Sequence, residues 1–356
     1  MEIESVIKAY CDPYLQTDLV TAKAVRSATI VNGKARVSLV LGFPAQGYHE
    51  QLKKELSARI LGIPGINEVH IEILTKIVAH AVQDGVENTL LQIKNIIAVA
   101  SGKGGVGKST VAVNLALALA AEGAEVGLLD ADIYGPSQPQ MLGIQGRAHV
   151  YENKQFEPMR SHGLQSMSIG YLIDVNTPMI WRGPMVSTAL QQLLRDTRWQ
   201  AMDYLIVDLP PGTGDIQLTL AQKIPVSGVV MVTTPQDIAL LDARKGLEMF
   251  RKVKVSILGV VENMGVHTCG QCGHEEPIFG AGGGERMAKD CAVDLLGSLP
   301  LDRNIREQGD GGAPSVVSDP NGIIALKYRE IARRVASKLA LCPLDYGRKF
   351  PKIVVE

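Results

Sequence analysis

Gly102-Lys103-Gly104-Gly105-Val106-Gly107-Lys108-Ser109-Thr110 follows an apolar run, Ile96 to Ala100, and precedes an alanine- and leucine-rich stretch, Val111 to Glu122. A strand, then G-x-x-x-x-G-K-S, then a helix is a phosphate cradle: the glycines let successive N–H groups converge on β- and γ-phosphate oxygens. Lys108 adds a point charge and Ser109 a hydroxyl for Mg²⁺, while the helix aims its positive end at the same anion. Two further segments end in acids, Asp130-Ala131-Asp132 and Asp208-Leu209-Pro210-Pro211-Gly212. An acid at a strand tip beside such a loop holds the Mg²⁺ shell, and Asp208, with Asp130 close by, is the candidate. Gly212 can offer its N–H to a γ-phosphate, which makes the segment a switch. Asp132 is the candidate for orienting an attacking water, or else a turn acid. Lys103 points away from its own γ-phosphate unless the chain doubles back, so it is better placed to act on a facing subunit, as an arginine finger does, and implies a C2 dimer.

Cys269-Gly270-Gln271-Cys272 is a second constellation. Two thiolates are half a site, because zinc and iron–sulfur clusters both usually take four ligands. A symmetric dimer supplies the other half if the pair lies near the axis. The rivals are a Cys₂His₂ zinc site closed within one chain by His267 and His274, and a redox dithiol. Cys11, Cys291 and Cys342 stand alone and read as small buried hydrophobes.

The elements that must position these residues fall into two units. Residues 1–75 read as a small α+β domain in αββαβ order: helix Ile3 to Tyr10, strands Lys23 to Val31 and Lys34 to Gly42 joined by the hairpin signal Asn32-Gly33, helix His49 to Leu61, and strand Asn67 to Leu74. Residues 76–94 read as a partly helical linker, 95–342 as the nucleotide domain and 343–356 as a tail. From Ile96 onward strands and helices alternate, which predicts a mostly parallel sheet covered by helices on both faces. The expected strands are Ile96 to Ala100, Val126 to Asp130, Gln165 to Ile169, Tyr204 to Leu209, Gly228 to Thr233, Ser256 to Glu262 and Leu295 to Leu299. Ligands in such sheets sit at the carboxyl ends of the strands, where the acids cluster.

Composition narrows the function. With 36 basic and 37 acidic residues, no global field draws the chain to nucleic acid or an anionic membrane. Aromatic residues make up 4%, too few for a stacking surface on single-stranded nucleic acid. No stretch approaches a membrane span and the acidic start is unlike a leader, so the expectation is a cytoplasmic protein. Five cysteines do not make a disulfide framework in 356 residues.

Lys103 with Lys108, Asp130-Ala131-Asp132 and the Asp208-Leu209-Pro210-Pro211-Gly212 run resemble the deviant Walker A ATPases, which include MinD, ParA, the nitrogenase iron protein and the Mrp/ApbC group. Asp132-Ile133-Tyr134-Gly135-Pro136-Ser137 and Trp181-Arg182-Gly183-Pro184 are similar to Mrp/ApbC in particular. The resemblance implies a P-loop NTPase fold, ATP and Mg²⁺ as cofactors, Asn263 on the adenine, and Lys103 acting across a homodimer. It implies further that Cys269 and Cys272 hold an iron–sulfur cluster, 4Fe-4S rather than 2Fe-2S, one per homodimer, for transfer to apoproteins and exchange with scaffold proteins. Asp12-Pro13 and Gly42-Phe43-Pro44-Ala45 resemble the small iron–sulfur assembly domain often fused to that group. Stand-alone relatives of that domain can carry a cysteine after the Pro-Ala turn where this chain has Gln46, which favours target docking over metal binding for the domain. Two other functions remain: a positioning or partition ATPase of the MinD/ParA kind, which needs a membrane helix or a basic face, and a zinc-bridged, nucleotide-gated binding module that never turns over. Against the former, the tail Arg348 to Glu356 carries Pro351 within a short segment.

Overall fold

The computed structural model describes residues 2–82, 90–173 and 183–345. The N-terminal unit comprises α1 (Glu2–Lys8), β1 (Val25–Val31), β2 (Lys34–Leu41), α2 (His49–Ile60) and β3 (Glu68–Thr75), in αββαβ order. Asn32 and Gly33 both take positive φ, 50° and 74°, which lets Val31 pair with Lys34 and closes the β1–β2 hairpin in two residues. Ala35, Val37, Leu39 and Leu41 alternate inward along β2 and meet Ile3, Ile7, Leu52, Leu56 and Ile60 from the two helices. Beyond β3 the described linker residues 76–82 contain no helix. Asn95 explains the extended course: its side chain accepts from the His80 N–H (3.0 Å) and donates to the Val78 carbonyl (2.9 Å), offering that backbone a partner that a helix would not. Residues 83–89 lie outside the described set.

The larger unit runs β4 (Ile93–Ser101), α3 (Lys108–Ala121), β5 (Val126–Asp130), α4 (Gln138–Met141), β6 (Met159–Ser161), β7 (Leu164–Ser168), α5 (Gly183–Arg195), β8 (Met202–Asp208), α6 (Asp215–Lys223), β9 (Gly228–Thr233), α7 (Asp237–Lys252) and β10 (Ile257–Glu262). A small hairpin follows, β11 (His267–Thr268) and β12 (Glu275–Glu276), then α8 (Gly283–Asp290), β13 (Leu295–Ser298), α9 (Arg303–Asp310), α10 (Ser315–Ser318) and α11 (Ile323–Ala340). Eight strands form one sheet in the order β13-β10-β9-β4-β8-β5-β7-β6, parallel except for the β6–β7 pair at the edge. Both faces are buried, as a parallel sheet requires. Along β4, Ile97 and Val99 join the core beneath α3 and α11, while Ile96, Ala98 and Ala100 join the opposite core with Leu190, Leu220, Leu247 and Phe250.

The small unit shares the first of these cores. Its attachment is also ionic: Glu122, capping α3, accepts from Arg329 (2.8 Å) and Arg333 (2.7 Å) of α11 and from the backbone N–H of Gly47 (2.8 Å). The Glu122 side chain is fully buried, so all three donors are needed to offset its desolvation.

Candidate functional site

The strand register brings the acids together. β8 lies between β4 and β5, and Asp130 stands opposite Asp208 at the carboxyl ends of neighbouring strands. Lys108, first residue of α3, reaches under the loop to pair with Asp208 Oδ1, and its ammonium also lies 3.8 Å from Asp132 Oδ2 and 3.2 Å from the Ser109 hydroxyl. Burial and the neighbouring Asp208 charge push the Asp130 carboxyl up from its ordinary range, and burial raises Asp132 despite Lys108. Asp130 accepts from the N–H groups of Asp132 (3.1 Å) and Gln138 (3.2 Å) and from the Ser168 hydroxyl (3.1 Å). Asp132 is both a turn residue and one facing Lys108.

Above this cluster the loop lines a cavity of about 250 Å³ with Lys103, Gly104, Gly105, Lys108, Ser109, Thr110 and Asp132. A second cavity of about 310 Å³ adjoins it, sharing Gly107, Thr110 and Met141, and is walled by Asn263, Pro300, Leu301, Asp302 and Ile305. One compartment offers loop backbone and two lysines, the other mostly apolar walls with the Asn263 amide and, at its rim, Asp302, Arg306 and Asp310, which is the division a nucleotide needs between phosphates and base. Asn263 donates its side-chain N–H to the Val106 carbonyl at 2.9 Å. Gly107 is glycine for two reasons: its φ is +81°, and a Cβ there would sit 2.2 Å from the Asn263 amide nitrogen. At Gly102 a Cβ would lie 2.3 Å from the backbone of Asp242, so α7 packs directly on the loop.

Lys103 is half-buried and has no ionic partner among the described residues. Val106 is buried, and its carbonyl is the one that fastens Asn263. Gly212 has φ +107° and gives its N–H to the Ser101 carbonyl (3.0 Å), so contact with a phosphate requires exchanging that bond. Beside the loop, α7 exposes Ile238 (71%) and Leu241 (56%), an apolar pair on the same side of the molecule as Gly102. Trp181 and Arg182 lie outside the described residues, as does the tail from Arg348.

Cys269 and Cys272 sit on the tip between β11 and β12. The Cys269 N–H donates to the His274 carbonyl and the Gly273 N–H to the Cys269 carbonyl, both at 2.9 Å, with Gly273 at φ +71° turning the chain back. Backbone N–H groups of Cys272 and Gln271, and the Cys272 thiol, face the Cys269 sulfur and hold its thiol below the usual range. The turn thus favours the thiolate of Cys269. The His₂ rival is not assembled: the His267 ring nitrogen is taken by the Leu301 carbonyl at 3.0 Å, and among the described residues no group of three or more His, Cys, Asp or Glu could hold a metal. Cys269 and Cys272 stand as a pair, with no third candidate ligand grouped beside them among the described residues. Of the lone cysteines expected to be buried, Cys11 is exposed, and Cys291 and Cys342 are half-buried.

The two sites share one backbone. β10 ends at Glu262, Asn263 braces the loop, and Val266 accepts from the Leu301 N–H (2.9 Å) immediately before the thiol hairpin. Pro300, Leu301 and Asp302 wall the second cavity, so the hairpin is stitched to the cavity's lining.

Gln138 was not among the residues singled out from sequence. Its side-chain N–H groups reach the Ser109 carbonyl (3.1 Å) and Asp208 Oδ2 (2.9 Å), and it is completely buried. The signal was a polar residue six positions after Asp132 in a Gly-Pro-Ser turn, which by itself reads as surface.

A family model described as NUBPL iron-transfer P-loop NTPase matches residues 92–336, and one described as iron-sulfur cluster assembly protein matches residues 1–73. The chain is 59% identical over 279 residues to an iron-sulfur cluster carrier protein of Pseudomonas fragi, covering 78% of this chain and 97% of that one. It is 52% identical over 330 residues to an iron-sulfur cluster carrier protein of Escherichia coli K12, covering 92% and 89%. Among solved structures, a nucleotide-binding protein from Archaeoglobus fulgidus in complex with ADP aligns with a TM-score of 0.57 at 34% identity, over 67% of this chain and 93% of that one.

Proposed function

The chain belongs to the NUBPL-type family of iron-transfer P-loop NTPases, and from that premise we propose that it is an ATP-dependent iron–sulfur cluster carrier, in which two protomers share one cluster and pass it to apoproteins. The observation that carries the proposal is the knuckle: two thiols on one hairpin tip, Cys272 exposed and Cys269 half-buried with its thiol lowered by backbone N–H donors, and no third metal ligand grouped with them among the described residues. A Cys₄ set then requires a second copy. The exposed Ile238 and Leu241 beside the loop, and Lys103 without an ionic partner, support a face-to-face homodimer in which Lys103 acts on the partner's nucleotide.

In this reading the loop from Gly102 to Thr110 binds the ATP phosphates, Asn263 and its cavity the base, and Asp132 orients water. The donor set near the phosphates is all oxygen: the Ser109 hydroxyl, the carboxylates of Asp208 and Asp130, and the buried, unpartnered Gln138 Oε1, which fits Mg²⁺ held by Ser109 and Asp208. Mg²⁺ there neutralises charge on the phosphate oxygens. Exchange of the Gly212 N–H from Ser101 to a γ-phosphate makes the segment after β8 report on hydrolysis. Because the adenine wall and the thiol hairpin are hydrogen-bonded to each other, nucleotide and cluster each bias the other's binding. The reading places the protein in the cytoplasm; no helix among the described residues is long and apolar enough to cross a membrane.

Anaerobic reconstitution with iron and sulfide tests this. Wild type is expected to turn brown with about four irons per dimer by metal analysis and light scattering. Zinc held by a monomer, or an unchanged yield of cluster in Cys269→Ala, overturns it.

A further inference from the structure

We propose that Gln138 is the positioning residue through which the segment after β5 controls Asp208, and that it sets the Mg²⁺ dependence of nucleotide affinity. The inference rests on the nucleotide-binding reading above and assigns a role to a residue outside the loop and the two acidic tips.

Gln138 touches three parts of the site at once. Its side-chain amide donates to Asp208 Oδ2 (2.9 Å) and to the Ser109 carbonyl (3.1 Å), and its backbone N–H donates to Asp130 Oδ2 (3.2 Å). Asp208 is thereby divided: Oδ1 faces Lys108 and Oδ2 faces Gln138. A carboxylate fully removed from solvent loses several kcal/mol of hydration, so its orientation follows whichever donors remain. Lys108 is a mobile partner, since a phosphate competes for the same ammonium. Gln138 is the fixed one: when Lys108 turns to an anion, the amide keeps Asp208 aimed and partly neutralised.

The remaining atom points the same way. Gln138 Oε1 is buried with no hydrogen-bond partner, as is the neighbouring Ser137 hydroxyl. An unpaired amide oxygen in the interior costs about 1–3 kcal/mol, a cost that a well-packed turn would ordinarily avoid. The oxygen belongs to a side chain already bonded to Ser109 and Asp208, the two Mg²⁺ candidates, and is an acceptor for a water of the ion's shell. The amide thus supplies a donor to a carboxylate and an acceptor to water, which neither Glu nor Met can do together.

The test is equilibrium binding of a fluorescent ADP analogue, titrated with Mg²⁺ and in EDTA, with the full chain. Gln138→Met keeps the volume and removes both polar functions. We expect its affinity in saturating Mg²⁺ to fall about tenfold, 1.4 kcal/mol, with the EDTA affinity unchanged. Gln138→Glu sets a like charge against Asp208 and should fall further. An unchanged Mg²⁺ titration in Gln138→Met overturns the inference, and so does an equal loss with and without Mg²⁺, which marks a packing role. Should Gln138→Met fail to fold, Gln138→Asn, one methylene short, decides: a shifted Mg²⁺ midpoint supports the role and an unshifted one overturns it. If wild type binds no nucleotide, the nucleotide reading itself fails, a separate result.

Discussion

The phosphate loop and the thiol knuckle lie on one continuous segment of backbone yet are built on opposite plans. Around the loop, the groups at its base are held by neighbours: Lys108 by Asp208, Asp208 by Gln138, Gly107 against Asn263, Gly102 against α7. Around the knuckle, the hairpin's own turn and two hydrogen bonds to Leu301 are what fix the sulfurs among the described residues, and residues 269–274 stand largely in solvent. Pre-organisation suits a site that must bind a small anion within one chain. Openness suits ligands that wait for a second copy. A carrier also has to let its cargo go, and a cluster caged on all sides would not leave.

The contrast implies that each site forms while the other is empty. Cys269→Ala should remove the cluster entirely while nucleotide affinity, measured by calorimetry against cluster-free wild type, stays within twofold, roughly the noise of such a comparison. Lys108→Ala should cost about a hundredfold in nucleotide affinity, since it removes a charge-assisted contact worth up to about 3 kcal/mol, and leave iron reconstituted in the absence of nucleotide unaltered. Its effect on delivery to an apoprotein should nonetheless be large. Delivery at the wild-type rate from Lys108→Ala would show that the two sites do not communicate.

The loop's rigidity has an anchor at the far end of its helix. Glu122 ends α3 14 positions after Lys108 and binds α11 and the small unit together. Glu122→Gln retains an acceptor for Gly47 but gives up the charge facing Arg329 and Arg333, which should lower stability by about 2 kcal/mol in urea unfolding. Proteolysis near Gln46 should quicken in parallel. Were the variant as stable as wild type with the same cleavage pattern, the small unit would be held by its apolar contacts alone.

How much of this was legible in the sequence follows the same divide. The phosphate loop, the acids at strand tips and the Asn32-Gly33 hairpin are local signals, because each depends on a few consecutive residues whose backbone conformation their types dictate. Gly228 to Thr233 was placed to the residue, and Leu295 to Leu299 ran one residue long. Gln138 was missed because its importance arises where β8, α3 and α4 meet, and a lone glutamine in a turn carries no periodicity. Glu122 was missed likewise: an acid near a helix end reads as solvated until the opposing arginines are seen. The edge strand Met159–Ser161 is too short to alternate, and the linker's extended course depends on Asn95, more than ten residues away. The cysteine pair was visible, but the amides that tune Cys269 required the knuckle's geometry.

That tuning gives the smallest of the expected effects. Because N–H groups of Cys272 and Gln271 stabilise the Cys269 thiolate, its alkylation by iodoacetamide, followed by mass spectrometry of the apoprotein, should reach half-maximal rate at lower pH than that of cysteine in an unstructured peptide. The sign follows from the cause: donors favour the charged form, so deprotonation begins earlier as pH rises. Gly273→Val forbids the φ of +71° that folds the hairpin back, withdraws those donors, and should move the Cys269 midpoint upward by less than about one pH unit, under 1.4 kcal/mol. Equal midpoints for Cys269 in wild type and in the unstructured peptide would mean that the knuckle merely displays its sulfurs, and that thiolate formation awaits the metal and the second protomer.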